Sequence, residues 1–423
     1  MSDIVKEYAV LVSIASSGGE VSECERSLDE LERLLNTAGA EAFCKVIQVK
    51  DSFNPRTCIG KGKVAEISEI CKANSIELVV FDFELTPAQI RNLEADIGEN
   101  VTVLDRSMLI LDIFALHATS GEGKLQVELA QLKYTAPRLI GHGTELSRQG
   151  GGIGSRGPGE SKLETDRRHL REKVSALEAR LYELEHNRAV MRAKRDRSGI
   201  PKIGIVGYTN AGKSTLLNAI TGAGVLSEDK LFATLDATTR KSELPSGETV
   251  LFTDTVGFIR KLPHHLVKAF KSTLDEVVYS DVLLIVSDIN DPEVPEHIKV
   301  TEEVIEELGA SDKPKIYVYN KCDMCESGAE YVPTREDTVR ISAKTGYGID
   351  ELFALIEKTL SQLKKEYTLL IPYDMQAHLS SIYNNFSVIS IDYTENGVLV
   401  KAVLDEKGKG MYSKYIVDNN GEV

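Results

Sequence analysis

The stretch IGIVGYTNAGKSTLLNAI, residues 203–220, decides the fold of this chain. Residues 203–206 are apolar or small and predict a buried strand. GYTNAGKS, residues 207–214, follows at once with the spacing G-x-x-x-x-G-K-S, and a helical pattern continues from Thr215. Strand, glycine-rich loop and helix in this order predict a P-loop on an α/β domain.

Each kind of residue in this loop has a physical role toward phosphate. Gly207 and Gly212 let the backbone curl, so that amide groups face an anion at the N-terminus of the helix. Lys213 would bridge the β- and γ-phosphates of a nucleoside triphosphate. The Ser214 hydroxyl would ligate Mg²⁺, as the hydroxyl at this position of a P-loop does.

FATLD, residues 232–236, comes next and supplies a threonine that would close over Mg²⁺ when a γ-phosphate is present. We choose Thr234 for this role. Thr238 and Thr239 lie a few residues further on and are rivals that the sequence does not exclude.

DTVG, residues 254–257, follows an apolar strand. Asp254 would hold Mg²⁺ through water, and the amide of Gly257 would contact the γ-phosphate. The next residue is Phe258, which cannot orient an attacking water by hydrogen bonding, so we expect slow intrinsic hydrolysis that depends on an external stimulus.

Asn210, inside the P-loop, would help to bind K⁺, or would simply stabilise the loop, and the sequence leaves both interpretations open.

NKCD, residues 320–323, and SAK, residues 342–344, predict the specificity for the base. Asp323, expected as a buried carboxylate, can accept hydrogen bonds from N1–H and the 2-amino group of guanine, which adenine lacks. Asn320 would address the N7/O6 edge, and the Ala343 amide would lie near O6. Five motifs in order make coincidence negligible.

The predicted site can be stated in full. The residues expected to act in hydrolysis are Lys213, Thr234 and Gly257, and those expected to hold Mg²⁺ are Ser214, Thr234 and Asp254. The residues expected to bind GTP or GDP are Gly207, Tyr208, Thr209, Asn210, Ala211, Gly212, Lys213, Ser214, Thr215, Phe232, Ala233, Thr234, Leu235, Asp236, Asp254, Thr255, Val256, Gly257, Asn320, Lys321, Asp323, Ser342, Ala343 and Lys344.

The rest of the chain divides by pattern into further predicted domains around the P-loop domain, residues 199–362. In 1–120, strand-like runs (8–14, 42–49, 78–81 and 101–104) alternate with helical patterns (21–38, 63–73 and 87–97), which predicts a small α/β domain with a parallel sheet. The tail, 363–423, predicts a small α+β domain with a helix near 374–385 and a hairpin turn at Asn396-Gly397.

Residues 121–198 predict an antiparallel helical hairpin. Leucines and one methionine recur every seven residues along 161–197, and the helix around 122–136 is the expected partner of this stripe. A simple dimerisation coil is the competing interpretation. The loop, 138–160, is rich in glycine and cannot support a packed core.

Composition bounds the function classes. The 423 residues suggest two to four domains, and 42% hydrophobic with 27% charged residues is typical of a globular protein. No apolar run approaches a membrane span, no secretion signal is visible, and the six cysteines have no framework spacing, so we expect a cytoplasmic protein with reduced thiols. The net charge of −15 argues against a globally basic nucleic-acid binder, but residues 138–202 hold 15 Lys and Arg against 9 Asp and Glu.

With these motifs in place, the chain resembles the HflX family of ribosome-associated GTPases over nearly its whole length. The matching strings are GYTNAGKS, LFATLDATTR, DTVGFIRKLP, NKCD, SAK, RTCIGKGKVAEI, LDRSMLILDIFALHATSGEGKLQVELAQLKY and GGIGSRGPGESKLETDRRHLREKV. One departure is Ala237, where relatives often have proline.

The resemblance implies functions that spacing alone does not. It implies an N-terminal domain that binds the large ribosomal subunit and a glycine loop that reaches toward rRNA of the peptidyl transferase region. It also implies GTP-dependent splitting of stalled or idle ribosomes by a hydrolase that ribosomal particles stimulate. Contacts to RNA would come from the basic residues in and beside the loop, Arg138, Arg148, Arg156 and Lys162.

Other functions stay open at this stage. A tRNA-modification GTPase would need modification chemistry for which the sequence shows no convincing site. A ribosome-assembly GTPase, a scaffold that uses nucleotide only for stability, and an ATP-driven RNA remodeller are further alternatives, although NKCD favours guanine. We expect a monomer, because a helical hairpin satisfies its apolar stripe within one chain.

Overall fold

The computed structural model describes residues 7–139, 158–196, 199–222, 231–232, 237–261, 263, 266, 270–325, 335–404 and 406–417. The chain forms two compact units. The first contains Met1–Glu185, Ser227–Ala237 and Val256–Asp275. The second contains His186–Leu226, Thr238–Thr255 and Glu276–Val423.

The first unit begins with an α/β layer. Its elements are β1 (Glu7–Ala15), α1 (Val21–Ala38), β2 (Ala40–Val49), α2 (Lys61–Asn74), β3 (Leu78–Phe81), α3 (Pro87–Ile97), β4 (Thr102–Asp105) and α4 (Arg106–His117). The four strands form a sheet in the order β2-β1-β3-β4, and every neighbouring pair is parallel. This confirms the small parallel sheet that the alternating pattern predicts.

Local sequence explains the ends of these elements. Thr86 caps α3 by accepting a hydrogen bond from the Gln89 amide at 3.3 Å, and the Gln89 side chain accepts one from the Thr86 amide at 2.9 Å. Pro87 occupies the first position of the helix, where its missing N–H costs nothing. Helix α4 ends at His117, and the next helix begins at Gly121.

The helical hairpin consists of α5 (Gly121–Leu139) and α6 (Pro158–Asp196). Two ion pairs join the helices: Lys133 pairs with Glu178 at 2.7 Å, and Lys173 pairs with Glu128 at 2.8 Å. The apolar stripe is buried within the chain near its middle, at Val127, Ala130, Leu177 and Leu181.

The second unit is built on a six-stranded sheet. Its elements are β5 (Lys202–Gly207), α7 (Lys213–Thr221), β6 (Thr238–Glu243), β7 (Thr249–Asp254), α8 (Lys271–Val278, which the unit boundary divides), β8 (Val282–Asp288), α9 (Val294–Glu307), β9 (Lys315–Asn320), β10 (Thr338–Arg340) and α10 (Ile349–Leu363). The strand order is β10-β9-β8-β5-β7-β6, and only the last pair is antiparallel. The carboxyl ends of β5, β7, β8 and β9 therefore share one edge of the sheet.

The same unit ends with β11 (Lys365–Ile371), α11 (Gln376–Asn385), β12 (Ser387–Thr394), β13 (Gly397–Leu404), α12 (Glu406–Tyr412) and β14 (Ile416–Val417). These strands form an antiparallel sheet in the order β12-β13-β11-β14. The predicted hairpin is present, and Gly397 at its turn has a φ of +151°, where an added Cβ would meet the Ile371 carbonyl oxygen at 2.5 Å.

All six cysteines are free thiols, and no described helix is long and apolar enough to cross a membrane.

Burial of Leu177 inside one chain leads to a test of the hairpin. Replacement by alanine should destabilise the packed stripe by about 2–3 kcal/mol, because it removes buried methyl groups and leaves a cavity. We expect the melting temperature to fall by several degrees in Leu177→Ala. The exposed neighbour Arg180 provides the matched control, Arg180→Ala, which should melt like the unmodified protein. An unchanged melting temperature together with dissociation of a dimer in sedimentation would contradict an intrachain hairpin.

Candidate functional site

The phosphate-binding loop is shaped by two close backbone approaches. Gly207 ends β5 with a φ of +147°, and a Cβ on it would lie 2.2 Å from the Val286 carbonyl oxygen. Gly212 precedes α7 with a φ of +91°, and a Cβ there would lie 2.3 Å from the Asn320 amide nitrogen. Neither position admits a side chain, which leaves room for a phosphate to approach the backbone of the loop at the N-terminus of α7.

Lys213 is the buried cation of this loop. Its side chain is 5% exposed, and Nζ donates to the carbonyl oxygens of Gly207 at 3.2 Å and Tyr208 at 2.9 Å. Burial lowers the pKa of Lys213 from 10.5 to about 8, although the charge of Asp254 acts in the opposite direction. A bound polyphosphate would place negatively charged oxygens beside this buried ammonium group.

Asp254 ends β7 beside the loop. It is 1% exposed, and its Oδ2 accepts a 2.6 Å hydrogen bond from the Ser214 hydroxyl. Its Oδ1 is buried and has no hydrogen-bond partner among the described residues. Burial raises the pKa of the Asp254 carboxyl, which Lys213, Ser214 and the Thr255 amide oppose. A carboxylate oxygen without a partner beside a hydroxyl is the kind of donor set that a hard divalent cation takes.

Asn320 joins three of the predicted motifs. It ends β9 and is 2% exposed. Its side-chain amide donates to the Ala211 carbonyl oxygen at 2.9 Å, and its oxygen accepts from the Ala343 amide at 3.0 Å. The P-loop, NKCD and SAK segments are thus held at one place by a single side chain.

Asp323 lies beyond the end of β9, and its Oδ1 accepts a 2.7 Å hydrogen bond from the Ser342 hydroxyl. The expectation that its carboxylate is buried is wrong, because the residue is exposed. The physical reason is its position on a single 3-10 turn, Cys322–Met324, in which none of the three residues is buried. A base stacked on this turn would be what removes the carboxylate from water.

Sequence reasoning missed two supports of the site. Asp288, at the end of β8, forms a 2.9 Å ion pair with Lys321, and Asn290 donates to the Lys321 carbonyl oxygen at 2.9 Å. The available signal was an acidic residue at the end of a buried parallel strand. The second support is the stack of Tyr208 on His297, with ring centroids 3.7 Å apart, for which the sequence has no signal.

The remaining predicted residues are placed as follows. Among the rivals for the switch threonine, the Thr239 hydroxyl lies 3.0 Å from that of Thr253, and Thr238 pairs with Asp254 across the two strands. Asn210 is exposed and adopts a left-handed φ of +61°, a conformation that asparagine tolerates. Positions outside the described residues are Ala233, Thr234, Leu235, Asp236, Arg148 and Arg156, and the same holds for the side chains of Arg138 and Lys162.

Phe232, Val256 and Gly257 belong to the first unit, whereas the P-loop, Asp254 and the base-binding residues belong to the second. Phe258 is 1% exposed, so the position after the D-x-x-G glycine is filled by a buried apolar ring.

The sheet, the P-loop at its carboxyl edge and the NKCD turn define a P-loop GTPase. Family models match four consecutive ranges: GTP-binding GTPase N-terminal (25–115), GTP-binding GTPase Middle Region (117–195), 50S ribosome-binding GTPase (202–321) and HflX C-terminal domain (329–408). The chain belongs to the HflX family.

Whole-chain relatives agree with these matches. The GTPase HflX of Caldanaerobacter subterraneus subsp. tengcongensis is 50% identical over 97% of this chain and 94% of its own length. The GTPase HflX of Escherichia coli is 44% identical over 92% of this chain and 91% of its own length. Among solved structures, a GTP-binding protein from Sulfolobus solfataricus in complex with GDP is 26% identical, covering 84% of this chain and 99% of that one with a TM-score of 0.42.

The lowered pKa of Lys213 predicts a proton linkage to nucleotide binding. In the free protein this group titrates near pH 8, and bound phosphates raise its pKa by favouring the charged form. Affinity should therefore be fully developed below about pH 8 and fall as the pH rises above it. Calorimetry of GDP binding at pH 8, in two buffers of different ionisation enthalpy, should show uptake of about half a proton. Lys213→Arg, which stays charged, should show none, and equal uptake by both proteins would contradict the assignment.

Asp323 predicts the specificity for the base. Asp323→Asn should weaken GDP binding on the order of 100-fold or more, because the amide cannot accept from both N1–H and the 2-amino group of guanine. Xanthine carries a carbonyl group at C2, so the variant should now prefer XDP. Competition among GDP, XDP and ADP measures both effects. Ser342→Ala is the comparison variant, since it removes the 2.7 Å contact to Asp323 but keeps the carboxylate, and it should still prefer GDP over XDP. A variant at Asp323 that still prefers GDP over XDP would refute the role.

Proposed function

We propose that this chain is a GTP-driven translation factor that binds the large ribosomal subunit and dissociates stalled or idle ribosomes. The observation that carries the proposal is the match of residues 202–321 to the 50S ribosome-binding GTPase model, together with HflX relatives along almost the whole chain. A cytoplasmic location and a monomeric state are part of the proposal.

The hairpin supports a partner of this kind. Helix α6 has 39 residues, which corresponds to a length of about 58 Å at 1.5 Å per residue. The segment that joins it to α5 is rich in glycine and carries arginines, so backbone and charge both suit a phosphate surface. We assign contacts with rRNA near the peptidyl transferase region to Arg138, Arg148, Arg156 and Lys162. In the proposed domain plan, 1–120 also binds the large subunit, 121–198 is the hairpin, 199–362 hydrolyses GTP, and 363–423 has a role that we leave unassigned.

The nucleotide site supports a switch. Ser214 and Asp254 would hold Mg²⁺, the aspartate through water, and Thr234 would close on the ion when GTP is bound. Mg²⁺ would neutralise charge on the β- and γ-phosphates during hydrolysis. Lys213 and the Gly257 amide would face the same oxygens. Asn210 is our candidate for a K⁺ contact, which a comparison of turnover in K⁺ and Na⁺ would test.

Phe258 supports the dependence on a partner. Since this buried ring cannot hydrogen-bond to water, the chain lacks a water-orienting side chain at the position where many GTPases carry glutamine. Intrinsic hydrolysis would then be slow, and a ribosomal particle would complete the arrangement. GTP binding favours the form that occupies the large subunit, and hydrolysis releases it, which is a population shift driven by γ-phosphate contacts.

The proposal predicts that purified large ribosomal subunits stimulate GTP turnover by about 10-fold or more, whereas small subunits do not. ATP turnover should stay low, and Lys213→Ala should abolish the stimulated rate. Replacement of Arg148 and Arg156 by serine should reduce stimulation but leave GDP affinity unchanged, because these residues lie outside the nucleotide motifs.

Separation of ribosomes into subunits in sucrose gradients, with a non-hydrolysable GTP analogue, is the second readout. Tight GTP binding without stimulation by large subunits would refute the proposal. It would direct attention to a tRNA partner or to a nucleotide-stabilised scaffold.

A further inference from the structure

A cluster of charges in the first unit joins three buried residues to Lys261, which belongs to the segment that follows DTVG and whose side chain is 49% exposed. Asp82 is completely buried and lies just after β3. Its Oδ1 accepts from Arg106 Nη1 at 2.7 Å, and its Oδ2 accepts from Lys261 Nζ at 2.9 Å. Arg106, which is 2% exposed, also pairs with Glu30 at 2.6 Å. The charges of these two carboxylates and two cations cancel within the cluster.

Lys261 is bound by more than the ion pair. Its ammonium group donates to the Ser27 hydroxyl at 3.1 Å, and that hydroxyl donates to the same Asp82 oxygen at 2.6 Å. The carbonyl oxygen of Arg260 accepts a hydrogen bond from Arg106 Nη2 at 3.1 Å. Backbone and side chain of this segment are therefore both held by residues of the N-terminal α/β layer.

Helix α4, which begins with Arg106, also contacts the first residue of FATLD and the end of the segment that follows DTVG. Its Phe114 packs edge-to-face on Phe232, with ring centroids 4.8 Å apart, and on Phe270, with centroids 4.6 Å apart. Phe232 opens the FATLD motif, and Phe270 lies thirteen residues after the DTVG glycine. Arg106 and Phe114 are eight residues apart, close to two turns, so one face of α4 carries both contacts.

The backbone conformations of Lys261 and Phe232 also indicate that these two segments are held in place. Lys261 has a φ of +50° and Phe232 a φ of +56°, although neither is glycine. Such conformations persist where surrounding contacts hold them, and they recur in switch regions. Lys261 is held by its ion pair with Asp82, and Phe232 is held by its packing on Phe114.

We propose that Asp82, Arg106 and Lys261 are positioning residues that fix the DTVG segment to α4, so that α4 responds to the nucleotide state. The inference rests on the proposed GTP switch, because it takes Gly257 as the γ-phosphate sensor. Lys261 lies four residues after Gly257, so a displacement of that amide toward a phosphate pulls on the ion pair. Loss of Lys261 would leave two buried carboxylates, Glu30 and Asp82, facing the single cation Arg106, and the pair is therefore expected to pass the displacement to β3 and α4.

Hydrogen–deuterium exchange of the full chain tests this coupling without ribosomes. Exchange is compared with Mg²⁺ and GDP against Mg²⁺ and a non-hydrolysable GTP analogue. We expect exchange in peptides from 78–82 and 106–117 to differ about twofold or more between the two nucleotides. Lys261→Met should remove this difference, and Lys261→Arg, which keeps the charge, should restore it. Protection of the P-loop peptide, 203–220, shows that each variant still binds nucleotide.

A matched control comes from another lysine of the same layer. Lys63 forms a 2.7 Å ion pair with Glu66 of its own helix, α2, so Lys63→Met should keep the nucleotide-dependent difference. Lys261→Gln is measured in parallel as a smaller change that also removes the charge. A difference that survives in both neutral Lys261 variants would overturn the role of the ion pair. No difference in the unmodified protein would overturn the coupling itself, whatever large ribosomal subunits do to GTP turnover.

Discussion

Lys213 and Asp254 hold opposite charges almost completely out of water, and the rest of the nucleotide site depends on this pair. Burial works against both charges, lowering the pKa of the lysine and raising that of the aspartate, while each partner partly compensates the other. They can approach because β5 and β7 are parallel neighbours in which Ile205 lies opposite Asp254. A site with two desolvated charges gains when phosphate and a divalent cation complete their coordination. The free-energy cost of burying the two charges is therefore partly offset when the nucleotide and the cation bind.

This constraint explains why the base-binding residues are braced by backbone contacts. Asn320 reaches the P-loop through Ala211 and the SAK segment through Ala343, so three strand ends are fixed around the buried pair. Lys321 is held in turn by Asp288 at the end of the neighbouring strand. Asp323 is exposed, so its carboxylate can meet a base that comes from outside the protein. Rigid support with one open carboxylate favours selection of a base over adaptation to several.

The sequence predicted what local periodicity controls. The apolar strand 203–206, the glycines of the loop and the seven-residue stripe of the hairpin all lie within short windows where spacing determines structure. It did not predict the cluster around Asp82, because Arg106 and Glu30 are 76 residues apart and Lys261 is 179 residues from Asp82. Polar residues at such distances leave no periodic signal. The exposure of Asp323 was missed for a related reason: a motif specifies what a carboxylate binds but does not say whether other elements cover it.

The division of the chain into units has a consequence for how a switch could act. The motifs expected to sense the γ-phosphate lie where the chain passes between units, at Ala237–Thr238 and Thr255–Val256. On the nucleotide side, the Thr255 hydroxyl donates to the Ile205 carbonyl oxygen at 2.8 Å, which fixes this crossing to the strand that carries the P-loop. On the other side, Ile259 is fully buried and Lys261 is bound to Asp82. The residues on either side of Gly257 are thus each held by contacts within their own unit. Since coupling free energies are reciprocal, a partner that shifts α4 would change nucleotide affinity by the same factor with which the nucleotide changes affinity for that partner.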